Sequence, residues 1–179
     1  MHLTLPSYAA LADKEGMGNY ALKRYYQWPH RIFYRQKLKM MVRMMGKRIY
    51  HTALDFGAGP GIFRRELEKH ALAVNEMNEK DVMNLMARYS LITCGSVLEF
   101  IPNLSQVLRR MSTVLIHGGD LIVASPMDTR LTRFYFDLIG DRKKRHSHRT
   151  IVSAVSKEFK IVKYEEWFGL YFCLKAVKL

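Results

Sequence analysis

The sequence predicts an α/β fold with a doubly wound, mostly parallel sheet that closes on a C-terminal antiparallel hairpin. Three stretches carry that expectation. In the first, the apolar run Ala53-Leu54-Asp55-Phe56 passes through Gly57-Ala58-Gly59-Pro60-Gly61 into the helical spacing of Ile62, Phe63 and Leu67. That order is a buried strand, a glycine turn and a helix start. In the second, a strongly periodic helix is followed by His117-Gly118-Gly119, an apolar strand over 120–125 and Pro126. In the third, strand patterns over 161–166 and 170–177 meet around Phe168-Gly169, as in a hairpin.

The 179 residues suit one domain with a proper core. Its expected parts are N-terminal cap helices (1–48), a core (49–126), a lid or insertion (127–150), and a final helix and hairpin (151–179). Residues 1–28 read as irregular, with Pro6, Gly16 and Gly18, and hold the aromatic, basic group Tyr20, Lys23, Arg24, Tyr25, Tyr26 and Trp28. From 29 to 45 the spacing is helical. Phe33, Lys37/Leu38, Met41, Met44 and Met45 share one side, while Arg31, Arg35, Lys39 and Arg43 fall largely on another. Gly46 is the expected stop. Such a basic amphipathic helix suits a core-facing cap or an anionic membrane surface.

The glycine turn brings backbone N–H groups and a helix N-terminus close to a polar ligand. Its spacing decides which ligand. A dinucleotide fingerprint needs a glycine where Ile62 stands, and the Gly-Lys-Ser/Thr of a phosphate loop is absent. What remains is Asp-x-Gly-x-Gly-x-Gly. This resembles the first motif of class I S-adenosylmethionine-dependent methyltransferases, whose fold is Rossmann-like. Asp55, Gly57, Gly59 and Gly61 match it residue by residue. The resemblance implies that the glycines pass under the methionine part of the cofactor, with Ala58 beside them, and that Asp55 helps hold the turn and the amino end.

After the turn, a helix is expected to about residue 70 and a strand over 71–74. Glu76 follows, 21 residues past Asp55, near the place where the family's acid holds the ribose hydroxyls. Between Glu76 and the next strand, 89–94, the chain departs from the family. About a dozen residues stand where members fit a helix and a third strand, so the sheet is expected one strand or helix short. Asp81 is the remaining candidate for the adenine amino group. Tyr89-Ser90-Leu91-Ile92-Thr93-Cys94-Gly95-Ser96-Val97-Leu98-Glu99-Phe100 resembles the fourth motif, with Ser90 replacing an Asp and Phe100 a frequent His. The resemblance adds Cys94 and Ser96 to the cofactor set and makes Glu99 a catalytic candidate.

The helix from Asn103, a good N-cap, carries the stripe Leu104, Val107, Leu108, Met111, Val114 and Leu115 and is expected to end at His117-Gly118-Gly119. In the insertion, Leu131, Phe134, Tyr135, Leu138 and Ile139 form a helical apolar face. The densest basic run, from Asp141 through Arg142-Lys143-Lys144-Arg145 to Arg149, comes next. That run suits a lid over an anionic substrate, and His146 and His148 are its candidate bases. Thr150 is the expected cap of a helix over 151–159.

Composition narrows the function further. No apolar stretch reaches the ~18 residues of a membrane span, no signal peptide is visible, and no His/Cys group has zinc spacing. Cys94 and Cys173 read as buried free thiols of a reducing, cytoplasmic compartment. The net charge of +13 implies an anionic partner: a small acceptor, nucleic acid or a peripheral membrane contact. The Asp/Asn-Pro-Pro-aromatic tetrad of adenine and glutamine methylation and the Pro-Cys of cytosine methylation are both absent. The resemblance, closest to the small-molecule "type 11" branch, therefore implies methyl transfer from S-adenosylmethionine to a small or lipid-like, anionic acceptor, without a metal. Two alternatives stand beside it: an RNA or protein methyltransferase using the basic surface, and a cofactor-binding partner subunit without catalysis.

Overall fold

The computed structural model describes residues 3–12, 19–140 and 145–178. Its strands are β1 (Tyr50–Phe56), β2 (Ala71–Met77), β3 (Tyr89–Gly95), β4 (Leu115–Pro126), β5 (Phe159–Trp167) and β6 (Tyr171–Lys178). They form a single sheet in the order β2-β1-β3-β4-β6-β5. The first four run parallel, and β6 lies antiparallel to both β4 and β5. This is the expected mixed α/β sheet with its C-terminal hairpin. The short interval after Glu76 holds a 3₁₀ turn, Glu79–Asn84, and no strand, so β2 is an edge of the sheet.

Side chains alternate across the sheet with the period of two that strands impose. Ala53, Leu91, Ile122, Ala124 and Cys173 face one core, and Leu54, Ile92, Cys94, Leu121, Val123 and Phe172 face the other. The first core is covered by α3 (His30–Met45), which buries Lys37, Leu38, Met40, Met41, Val42, Met44 and Met45. Burying the Leu, Met and Val side chains among these stabilises by roughly 1.5–3 kcal/mol each. The second core is covered by α5 (Leu104–Val114) and α7 (His148–Glu158), through Leu108, Met111, Ile151 and Val155. Cys94 and Cys173 are buried and free. No helix among the described residues is long and apolar enough to cross a membrane.

Several local expectations are corrected. The first 28 residues are not wholly irregular: α1 (Tyr8–Ala12) and α2 (Asn19–Tyr26) lie there, because Leu11, Leu22 and Tyr25 are buried beside α3. Gly16 and Gly18 fall outside the described residues. The helix after the glycine turn, α4 (Arg64–Leu67), is one turn long. Its continuation to His70 is a tight turn, with Lys69 and His70 donating to the carbonyls three residues back. The helix α5 stops at Val114 because Leu115 already pairs with Tyr89 in the sheet. His117-Gly118-Gly119 is a bulge: the one residue between Tyr89 and Leu91 faces the four between Leu115 and Asp120. Asn103 precedes α5 without a side-chain cap bond. The cap of α7 is Ser147, whose Oγ accepts from the Thr150 amide at 3.1 Å, so the helix begins before Thr150.

The largest correction concerns α6 (Arg130–Leu138). Its expected apolar face is split: Tyr135 and Ile139 are partly buried, Leu131, Phe134 and Leu138 are exposed, and Thr132 and Phe136 are the buried residues.

Candidate functional site

Open α/β sheets bind ligands beyond the C-terminal ends of their parallel strands. A cavity of about 220 Å³ lies there, between the glycine turn and α3. One side is built by Asp55, Gly57, Ala58 and Gly59, from the end of β1. The other is built by the aromatic rings of Tyr25, Tyr34, Phe100, Phe136 and Tyr171. Four further polar residues reach the cavity: Lys37, Ser96, Glu99 and Arg145.

The turn needs glycine for reasons the structure makes explicit. Gly57 has φ +71, and a Cβ placed on it would stand 2.6 Å from Val97 Cγ2. Gly59 has φ +61 and borders the cavity directly. The Gly57 amide donates to Met77 O at 2.7 Å, which ties the turn to the end of β2.

Asp55 is buried, and its Oδ1 accepts a 2.8 Å hydrogen bond from Thr93 Oγ1 on β3. Burial pushes its carboxyl up to about 7; the Thr93 bond opposes this, the nearby Glu76 charge adds to it, and Lys37 works against it. Asp55 pairs in register with Glu76 on β2. Glu76 Oε2 accepts from Arg64 at 3.0 Å, whereas Oε1 is buried with no hydrogen-bond partner among the described residues.

Lys37 enters from α3 with only 2 % of its surface exposed. Its Nζ donates to Tyr25 OH at 2.8 Å, Ser96 Oγ at 2.9 Å and Gly95 O at 3.4 Å. Burial works against the ammonium, but Tyr25, Glu99 and Tyr34 outweigh it and the pKa lies above its ordinary value. Ser96 holds a left-handed backbone, φ +63, at the turn after β3. Such strain in a non-glycine residue collects at functional turns.

Glu99 is buried as well. Ser125 Oγ donates to its Oε2 at 2.6 Å. Burial raises the Glu99 pKa, and the Ser125 bond, a backbone bond and the Lys37 and Arg145 charges partly offset that rise. The Arg145 guanidinium lies over the Phe136 ring at 4.1 Å and the Phe100 ring at 5.2 Å.

Of the residues singled out in the sequence, Asp55, Gly57, Ala58, Gly59, Ser96 and Glu99 meet at this cavity. Gly61 closes the turn by donating to Ala58 O at 3.1 Å, and Glu76 stands beside Asp55. The others lie elsewhere. The Cys94 side chain points into the second core, on the opposite face from Asp55. Asp81 is exposed on the 3₁₀ turn. His146 Nε2 lies 2.8 Å from Ile101 O, and His148 Nδ1 accepts from the Asp128 amide. Both histidines, at the start of α7, meet backbone groups outside the cavity, because the α6–α7 connection packs against the segments that follow β3 and β4. Asp141, Arg142, Lys143 and Lys144 fall outside the described residues. Tyr25, Tyr34, Lys37, Phe136, Arg145 and Tyr171 were not singled out as site residues in the sequence. Only Lys37 left a signal, as a cation inside an apolar helical stripe.

No protein-family model matches the chain, and no curated protein matches it by sequence. Solved structures do. N-methyltransferase NodS from Bradyrhizobium japonicum WM9, in complex with S-adenosyl-L-homocysteine, has a TM-score of 0.65 at 14% identity, covering 96% of this chain and 97% of that one. A complex from Haloferax volcanii between the Trm112 methyltransferase activator and a methyltransferase matches at TM-score 0.68 and 12% identity, over 99% of each chain. An O-methyltransferase family protein from Burkholderia thailandensis matches at TM-score 0.59 and 12% identity, over 95% of this chain and 66% of that one. The sheet order, the glycine turn and these likenesses agree: the chain has the class I S-adenosylmethionine-dependent methyltransferase fold.

Proposed function

We propose that the protein transfers the methyl group of S-adenosylmethionine to a small or lipid-like, anionic acceptor. The main support is the pair of acids at adjacent strand ends, Asp55 and Glu76, beside a turn where a side chain at Gly57 would collide with Val97. The residues present fit the cofactor. Glu76 Oε1 is a buried acceptor without a donor among the described residues, as a ribose hydroxyl would require. Asp55 would take the ammonium, the Lys37 cation the carboxylate, and the open backbone at Gly57 and Gly59 the chain between them.

The bound sulfonium supplies an electrophilic methyl group. The protein's own task is to hold and deprotonate the acceptor. Glu99 is the base: burial makes its carboxylate more basic than an ordinary one, and the Ser125 hydroxyl fixes its orientation. The Tyr25, Tyr34, Phe136 and Tyr171 rings exclude water and favour an acceptor with an apolar body. Arg145, stacked on Phe136 and Phe100, attracts the acceptor's negative group.

Calorimetric titration with S-adenosylmethionine and S-adenosylhomocysteine tests the cofactor, and a methyl-labelled screen of anionic small molecules and lipids tests the acceptor. Binding of neither compound by the folded protein would remove the cofactor assignment. Label found only in RNA or protein would replace the acceptor class.

A further inference from the structure

We propose that the rim formed by α6, the start of α3 and the β5–β6 turn docks the protein peripherally on an anionic lipid surface. Six large apolar residues stand exposed on these segments. Phe168 is 78% exposed, Leu138 74%, Trp28 72% and Phe134 66%, with Ile32 and Leu131 about half exposed. Isolated exposed apolar side chains are ordinary, but a group of large ones on one rim marks an interaction surface.

The segments are held together on one side of the molecule. His30 Nδ1 lies 2.9 Å from Tyr135 OH, and the Phe33 ring meets both Tyr135 and Trp167. Thr129, the N-cap of α6, and Thr132 both donate to Gly169 O in the β5–β6 turn. That turn and the N-terminus of α6 both lie at the C-terminal edge of the parallel strands, where the cavity opens. The buried side of α6 contributes Phe136 to the cavity wall. Its outward side presents Leu131, Phe134 and Leu138 at i, i+3 and i+7, one continuous apolar stripe. A surface helix in water normally turns a polar face outward. A helix with an apolar outer face and basic flanks instead suits insertion to a depth of roughly 5–10 Å at a lipid headgroup boundary.

Charge chooses the occupant. Arg130 and Arg133 are exposed on α6 itself, and Lys23 and Arg31 are exposed on α2 and the start of α3. No acid occurs between residues 16 and 54. The acids on the same segments are Asp128, paired with Arg133 at 3.0 Å, and Asp137, with Glu165 and Glu166 at the end of β5. Glu165 is itself paired with Arg43 and Lys163. Each basic residue near an anionic leaflet adds to attraction, and exposed aromatic rings settle at the interface. A membrane-borne acceptor would then meet the cavity mouth directly. Vesicle binding depends on this surface alone, so it stands or falls separately from methyl transfer.

The test is flotation of the full chain with vesicles of mixed phosphatidylglycerol and phosphatidylcholine, against phosphatidylcholine alone. The wild-type protein is expected to float with the anionic vesicles and to be released between about 0.05 M and about 0.5 M salt. Phe134→Ser with Leu138→Ser, both on the exposed face, should weaken binding about tenfold or more without changing the melting temperature. Arg130→Gln with Arg133→Gln should weaken binding to anionic vesicles only. Equal flotation of wild type and the Phe134/Leu138 variant would overturn the proposal, as would no binding to anionic vesicles. A wild-type dimer that the Phe134/Leu138 variant makes monomeric would assign the face to a second copy instead. RNA binding lost in that variant, with vesicles ignored, would assign it to RNA.

Discussion

Lys37 Nζ donates to Ser96 Oγ across 2.9 Å, joining α3 to the turn after β3 at the cavity wall. The contact puts a buried cation within reach of the carboxyls of Asp55 and Glu99. It also makes α3 part of the site rather than a cover over it.

Lys37→Gln keeps a hydrogen-bonding side chain but removes the charge. Cofactor affinity is expected to fall by about 1–3 kcal/mol, the range for a charged hydrogen bond. Calorimetry reads this directly, and unchanged affinity in a folded variant would place the carboxylate elsewhere.

Gly57→Ala sets a methyl group against Val97, 2.6 Å from its nearest atom, at a backbone angle that favours glycine. A loss of about 1–3 kcal/mol of stability is expected in urea unfolding. Adding Val97→Ala should recover the steric part and leave the conformational part. No recovery would mean that the close contact is not the cause.

Asp55 gives the protein a pH dependence of definite sign. Its carboxyl ordinarily titrates at 3.8 and in the fold at about 7. Between those values the folded state holds a proton that the unfolded chain has lost. Stability is therefore highest below pH 3.8 for this group and falls as pH rises to about 7. Asp55→Asn mimics the protonated form. It should be more stable than wild type above neutrality by about 2–4 kcal/mol, with the difference fading toward pH ~4. Stability curves that stay parallel across this range would contradict the burial argument.

Glu99→Gln should lower turnover by about 10²–10⁴-fold and leave cofactor affinity unchanged, as expected for a base that touches only the acceptor. Changing His146 and His148 to Gln should move the melting temperature rather than kcat, since both meet backbone groups outside the cavity. If the histidine variant loses turnover and Glu99→Gln does not, the roles are reversed.

Asp120 holds three strands at the far end of the sheet. It accepts from Tyr50 OH at 2.6 Å, Lys175 at 2.8 Å and Arg48 at 3.1 Å, and only 1% of its surface is exposed. Asp120→Ala leaves Lys175, itself mostly buried, without its anion. A loss of about 3–5 kcal/mol is expected by thermal unfolding, and one under about 1 kcal/mol would show that water replaces the carboxylate.

The sequence determined the parts of the fold that depend on local pattern. Period-two and period-3.6 spacing marked the strands and the long helices, and the Asp55-to-Gly61 spacing separated this turn from dinucleotide and phosphate loops. Glu76 was singled out through the family resemblance, which sets an acid at that interval from Asp55, and the β1–β2 register puts the two side by side. Tertiary structure decided what pattern leaves open. Whether the apolar stripe of α6 faces inward depends on what stands opposite it, and the cavity took Phe136 while leaving Phe134 and Leu138 outside. Cys94 follows Thr93 in sequence, yet strand alternation sends it to the other core. Lys37 and Glu99 are 62 residues apart in sequence and share one cavity only because α3 packs over the ends of β3 and β4. Local spacing fixes which way a backbone turns. Which side chains meet is fixed by the packing of distant segments, where burial and charge are set.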